Sequence, residues 1–114
     1  MTIDELESCL ESFVSRAQIV RDTRHILEEW AVNGIFQAAV EDDHFIPIPH
    51  DAPITVIRTT FECSALDYTF GPVKAIVGLG DITIHDDTIL PQYCFVRLYY
   101  NDEGQVFTTD FYLD

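Results

Sequence analysis

The sequence predicts one α+β domain: a helix or two at the N-terminus, packed on a curved, mostly antiparallel sheet. Three observations carry that class. Apolar residues recur at steps of three and four through the first thirty positions, the period of an amphipathic helix. After Asp51 the texture changes to β-branched and aromatic runs broken by turn residues. The two textures do not interleave, so helices and strands are segregated rather than alternating as βαβ units. With 114 residues, 47% of them hydrophobic, the chain forms a single domain, 1–114, with a core of its own.

The first element opens on Thr2-Ile3-Asp4-Glu5, a capping-box pattern with Thr2 at the N-cap and Glu5 at N3. Asp4, Glu5 and Glu7 suit the positive end of a helix dipole. Ile3, Leu6, Leu10, Phe13, Ala17 and Val20 then form one apolar stripe. Ile26, Leu27, Trp30 and Ala31 continue it, and the polar patch Arg21-Asp22-Thr23-Arg24 is the expected break between two helices. Gly34, after Asn33, is a helix stop. Ile35–Val40 fits helix and strand equally well.

The strands follow. Ile54–Cys63 is rich in β-branched residues. Val73–Ile84 is apolar, and Gly78 and Gly80 inside it signal a bulge or a sharp bend. Tyr93–Tyr100 and Gln105–Tyr112 flank Asn101-Asp102-Glu103-Gly104, a hairpin with Gly104 in the left-handed position. Both faces of Tyr93–Tyr100 are apolar: Tyr93, Phe95 and Tyr99 alternate with Cys94, Val96 and Leu98. Such a strand is covered on both sides, by the helix on one and by a partner subunit on the other. A sheet bent around an N-terminal helix encloses a pocket.

Twenty acidic residues against six basic ones give a formal charge of −14. That field repels phosphate backbones and anionic lipid, which argues against direct nucleic-acid binding and against an acidic membrane surface. Cys9, Cys63 and Cys94 are odd in number, lack CxxC spacing and sit among apolar neighbours, the pattern of reduced buried thiols in a cytoplasmic protein. No stretch has the form of a signal peptide or a transmembrane helix.

The densest functional signal is EDDHFIPIPHD, residues 41–51. Pro47, Pro49 and Pro53 exclude helix and impose an extended path. Along it His44 and His50 lie about 20 Å apart, at roughly 3.3 Å per residue, too far to share one metal ion. No HxH, HExxH or two-histidine-carboxylate pattern is present, and the expectation is a site with no metal and no cofactor. Asp42 and His44, at i and i+2, share one strand face, and a histidine beside a carboxylate handles protons near neutral pH. Asp67 with Tyr68 is a second candidate pair, because a tyrosine hydroxyl can polarise a carbonyl oxygen. Arg97 is the only charge in Tyr93–Tyr100, so it pairs with an acid or faces a ligand anion; Arg58 has the same standing on its own strand. Trp30 and Tyr93 complete the candidate ligand-binding set with them. Nucleophile elbow, phosphate loop, dinucleotide fingerprint and zinc motif are all missing.

The stretches VKAIVGLGDITI (73–84) and YCFVRLYYNDEGQVFTTDFYLD (93–114) resemble the NTF2-like superfamily, in particular its SnoaL-like branch. There a long apolar strand precedes a hairpin whose last strand ends in aromatic-x-Asp, as Tyr112-Leu113-Asp114 does here. The helix-to-strand passage Val40–Phe45 resembles the same family. Residues 52–72 depart from it, since they do not read as the helix it places between its first strands, and a cystatin-like relative stays open. The resemblance implies a cone-shaped pocket, frequent sheet-to-sheet homodimers, and functions ranging from cofactor-free lyases and isomerases to ligand binders. The functional expectation is therefore a domain that binds a small organic ligand or moves a proton on one. The alternative is an acidic inhibitor or immunity-type module, or a nucleic-acid mimic, whose negative surface meets a basic protein.

Overall fold

A computed structural model describes residues 14–41, 44–61, 73–101 and 103–113. Among them one helix, α1 (Arg16–Glu29), is followed by eight strands: β1 (Ile35–Val40), β2 (His44–Pro49), β3 (Ile54–Phe61), β4 (Val73–Leu79), β5 (Ile82–His85), β6 (Thr88–Pro91), β7 (Cys94–Tyr100) and β8 (Val106–Tyr112). β3, β4, β7 and β8 form an antiparallel sheet in that order, and β1–β2 and β5–β6 are separate two-stranded ribbons. The α+β class holds, with the helix on the sheet. The capping box at Thr2–Glu5 lies outside the described residues.

α1 begins at Ser15, whose hydroxyl accepts the Gln18 N–H at 3.1 Å. Val14 and Ile19, on either side of the cap, are both buried and form a hydrophobic staple. The helix buries Ile19, Thr23 and Leu27, one stripe at steps of four. It runs unbroken through Arg21–Arg24, where the sequence suggested a break. The reason is tertiary. Thr23 turns inward and donates to Ile19 O at 2.7 Å, Asp22 accepts a hydrogen bond from β7, and Arg24 donates to the carbonyls of His50 and Ala52. The polar patch anchors the helix.

Ile35–Val40 is a strand. Phe36, Ala38 and Val40 are buried and alternate with exposed Gln37 and Ala39. β2 pairs with it from Ile35↔Pro49 to Val40↔His44. Pro47 and Pro49 are tolerated because β2 is the outer strand of a two-stranded ribbon.

In the four-stranded sheet the register sorts side chains onto two faces. Ile54, Val56, Val73, Ala75, Val77, Leu79, Cys94, Val96, Leu98, Tyr100, Val106 and Phe111 share the face under α1 and the β1–β2 ribbon. Phe36 and Phe111 meet there with ring centroids 5.2 Å apart. The opposite face carries three cross-strand rows: Arg58–Ile76–Arg97–Asp110, Thr60–Lys74–Tyr99–Thr108 and Gly78–Phe95–Tyr112. The two-sided character of β7 is thus real, and α1 covers one side only.

The apolar run 73–84 is two strands. Gly80 has φ +92, and a Cβ there would lie 2.6 Å from Gln92 Cβ and 2.7 Å from Tyr93 Cδ2, so the bend requires glycine. β5 and β6 then form a ribbon closed by Asp86 and Asp87, both with positive φ, a two-residue hairpin turn. Gly104 takes the expected left-handed conformation at φ +76. Asn101 Oδ1 accepts from the N–H groups of Glu103 and Gln105 at 3.0 and 2.9 Å and fixes that turn.

Candidate functional site

A groove of about 430 Å³ lies between α1 and the first half of β8. Its helix wall is Gln18, Asp22, Ile26 and Trp30, a stripe at strict steps of four beside the buried stripe 19-23-27, with His25 at the rim. Its sheet wall is Gly104–Thr109. Among the described residues β8 is the edge strand of its sheet, and none of their other strands pairs with its outer side.

Phe107 owes its position to a bulge. Tyr99 pairs with Thr108 and Tyr100 with Val106, which leaves Phe107 as the extra residue. A bulge twists an edge strand and re-aims a side chain. Phe107 is 44% exposed and Trp30 69% exposed. Two large aromatic surfaces thus stand uncovered on opposite walls of one groove, with half-buried Ile26 and Val106 between them.

The polar groups are held in place. Tyr100 donates its phenol proton to Asp22 Oδ2 at 2.9 Å. Burial, and then this bond to Asp22, raise the Tyr100 pKa above its ordinary range, so the phenol stays a donor. Gln18 Nε2 donates to Gly104 O at 2.8 Å and ties the helix to the β7–β8 turn. Gln18 Nε2 lies 3.5 Å from the same Asp22 oxygen, one helical turn away. His25 Nε2 lies 3.2 Å from Glu29 Oε2, one helical turn on, at the exposed rim. The groove thus combines apolar walls with one oriented carboxylate and several amide and hydroxyl groups.

Of the residues singled out from sequence, Trp30 lines the groove. His44 lies at the tip of the β1–β2 ribbon, exposed, and His50 follows the other end of β2. Asp42, Asp67 and Tyr68 lie outside the described residues, so the pairs Asp42–His44 and Asp67–Tyr68 are not described. Tyr93 packs at the Gly80 bend, half-buried against the core. Arg58 and Arg97 share a row on the sheet face away from α1. Arg97 pairs with Asp110, and its guanidinium lies 4.3 Å from the centroid of the Tyr112 ring. Burial works against its charge, but the bond to Asp110 together with the charges of Tyr99, Asp110 and Tyr112 outweighs that and raises its pKa. Its Nε is buried with no partner among the described residues. Among those residues no three His, Cys, Asp or Glu side chains gather as a metal site, and no helix is long and apolar enough to cross a membrane.

Sequence reading missed Gln18, Asp22, His25 and Phe107. The helix residues had a signal: 18, 22, 26 and 30 repeat at four, next to the core stripe. Phe107 had none, because a bulge changes which way a residue points without changing the apolar pattern. No protein-family model matches the chain, and neither a curated protein nor a solved structure does.

Proposed function

We propose that this protein is a small-molecule-binding domain whose site is the α1–β8 groove, and that its ligand is a flat or short-chain organic molecule carrying a positive charge. The observation that carries the reading is the exposure of Trp30 and Phe107 on facing walls beside the Asp22 carboxylate. Exposed aromatic faces attract cations, by about 0.5–1 kcal/mol at exposed sites and more when water is excluded. The Asp22 carboxylate and a net charge of −14 add attraction of the same sign. The pocket expected of a cone-shaped, NTF2-like or cystatin-like domain corresponds in this reading to the groove. A proton-transfer role, if the ligand is also a substrate, falls to His25, the groove's own imidazole, with Glu29 beside it.

The alternative, an acidic surface for a basic partner protein, rests on net charge. The described acids weigh against it. Glu28 and Glu29 end α1, and Glu41, Asp86, Asp87 and Glu103 sit at the turns of three different hairpins. The described acids are thus spread over several elements rather than carried by one.

The test is a titration of the single tryptophan's emission with 2-phenylethylammonium, 2-phenylethanol and phenylacetate, three probes of one size and different charge. The cation is expected to bind at least tenfold more tightly than the anion, with Phe107→Ala and Asp22→Asn each weakening it severalfold. Equal response to all three probes would contradict the cationic class, and no response to any would contradict the site.

A further inference from the structure

The face of the four-stranded sheet away from α1 concentrates positive charge. The chain has six basic residues. Three stand on or at the start of α1: Arg16, Arg21 and Arg24. The other three, Arg58, Lys74 and Arg97, all stand on this one face. Arg58 and Arg97 flank Ile76 in one cross-strand row, about 10 Å apart at the backbone for two strand spacings. Lys74 is in the adjacent row. Arg58 is exposed, and no acid among the described residues pairs with it. Ile76 and Tyr99, between and beside these cations, are only half-buried. Asp110, in the same row, pairs with Arg97, so the exposed cation that this face offers is Arg58, beside an apolar floor of Ile76 and Tyr99.

The β5–β6 ribbon has the complementary character. Its pairing puts Ile82, Ile84, Ile89 and Pro91 on one side. The base of that side rests on the molecule's own sheet, where Ile82 and Pro91 pack at Gly78. The outer half does not: Ile84 is 72% exposed. The ribbon ends in Asp86 and Asp87, and Asp81 stands at its foot, all exposed. Asp86 has the exposed His85 within 3.3 Å. A two-stranded ribbon is marginal in water without a surface to pack on, and this one leaves half of its apolar side uncovered.

We propose that the occupant of the cationic face is a second copy of this chain, and that the two copies exchange β5–β6 ribbons. The acidic tip of each ribbon sets Asp86 and Asp87 against Arg58 of the other, and Ile84 covers Ile76. Four residues of strand reach about 13 Å, enough to span the row from Arg58 to Arg97. The ribbon leaves its own molecule from the Gly78–Phe95 end of the same face, so one twofold axis seats both ribbons at once and each contact occurs twice. The contact joins unlike charges, whereas a plain face-to-face stack would oppose Arg58 to its own kind. This proposal is independent of the groove, whose residues take no part in it.

The experiment is sedimentation equilibrium in 50 mM salt with charge-reversed pairs. Wild-type protein is expected at twice the chain mass of 13.0 kDa, shifting towards monomer at 500 mM salt. Asp86→Lys/Asp87→Lys and Arg58→Glu should each weaken self-association at least tenfold, and an equimolar mixture of the two should restore the dimer. Ile84→Ser should weaken association with circular dichroism and melting temperature of the monomer unchanged, which separates lost contact from lost folding. A wild type that stays monomeric, variants that dimerise as the wild type does, or a mixture that stays monomeric would each overturn the exchange.

Discussion

The phenol of Tyr100 donates to the Asp22 carboxylate at 2.9 Å, joining the last residue of β7 to the middle of α1. The bond does two things. It satisfies a polar atom in the core, where Tyr100 is fully buried, and it orients a carboxylate on the helix wall of the groove. Tyr100→Phe removes a hydrogen bond to a charged group and is expected to cost about 1–3 kcal/mol in urea unfolding. The same variant should weaken cation binding, because Asp22 loses its orientation.

That bond also sets an alkaline limit. The folded-state pKa of Tyr100 is raised above its ordinary 10.0, so the folded protein keeps a proton that the unfolded chain gives up. Stability from this group is complete below pH 10 and declines as pH rises further. Cys94 acts in the same direction and earlier. Burial pushes its thiol from 9.0 up to about 11, so its contribution is lost between pH 9 and 11. Urea midpoints measured from pH 8 to 11 should fall steadily, and Cys94→Ala should fall less over the same range. A midpoint independent of pH in wild type would contradict the protonated, buried thiol. Folded protein at pH 8 should also resist thiol reagents at Cys94.

Gly80→Ala tests the bend between β4 and β5. The backbone there is left-handed, and the new methyl meets Gln92 Cβ at 2.6 Å and the Tyr93 ring at 2.7 Å. Left-handed strain and overpacking each cost about 1–2 kcal/mol, so a loss of about 2 kcal/mol or more is expected in thermal or urea unfolding. A loss below 0.5 kcal/mol, within the usual range of surface changes, would mean that the bend is not held as described.

The ion pair between Arg97 and Asp110 is half-exposed, and solvent screens it. Asp110→Asn is expected to cost under about 1 kcal/mol, less than Tyr100→Phe, although both remove one side-chain bond. A larger loss would mean that Arg97 depends on Asp110 for more than a screened contact.

Local features were legible where local chemistry decides them. The Asn101–Gly104 turn follows from one side-chain amide and one left-handed glycine, and the bend in 73–84 from Gly80. The extended path of 44–49 follows from its prolines. What failed was local reasoning about tertiary events. Arg21–Arg24 looks like a helix break until Tyr100, His50 and Ala52 supply its partners from elsewhere in the chain. Ile35–Val40 was undecidable because a short apolar run suits helix and strand, and pairing with β2 decides it. Of the residues marked from sequence, Trp30 lines the groove, and its neighbours there were not marked. Asp22 was assigned to a break, and Phe107 reaches the groove only through a bulge that no residue type announces. Arg58 and Arg97, marked as candidate ligand contacts, lie on the opposite face of the sheet, where Arg97 pairs with Asp110.

The groove is tested most directly by two-dimensional NMR of uniformly 15N-labelled protein titrated with 2-phenylethylammonium. Shifts are expected at the Trp30 indole N–H and at the amides of Gln105–Thr109, with Asp22 and Ile26 following and the β3–β4 amides still. Shifts confined to Arg58, Lys74 and Arg97 and their neighbours, or no shifts at all at millimolar probe, would contradict a cation-binding groove between α1 and β8.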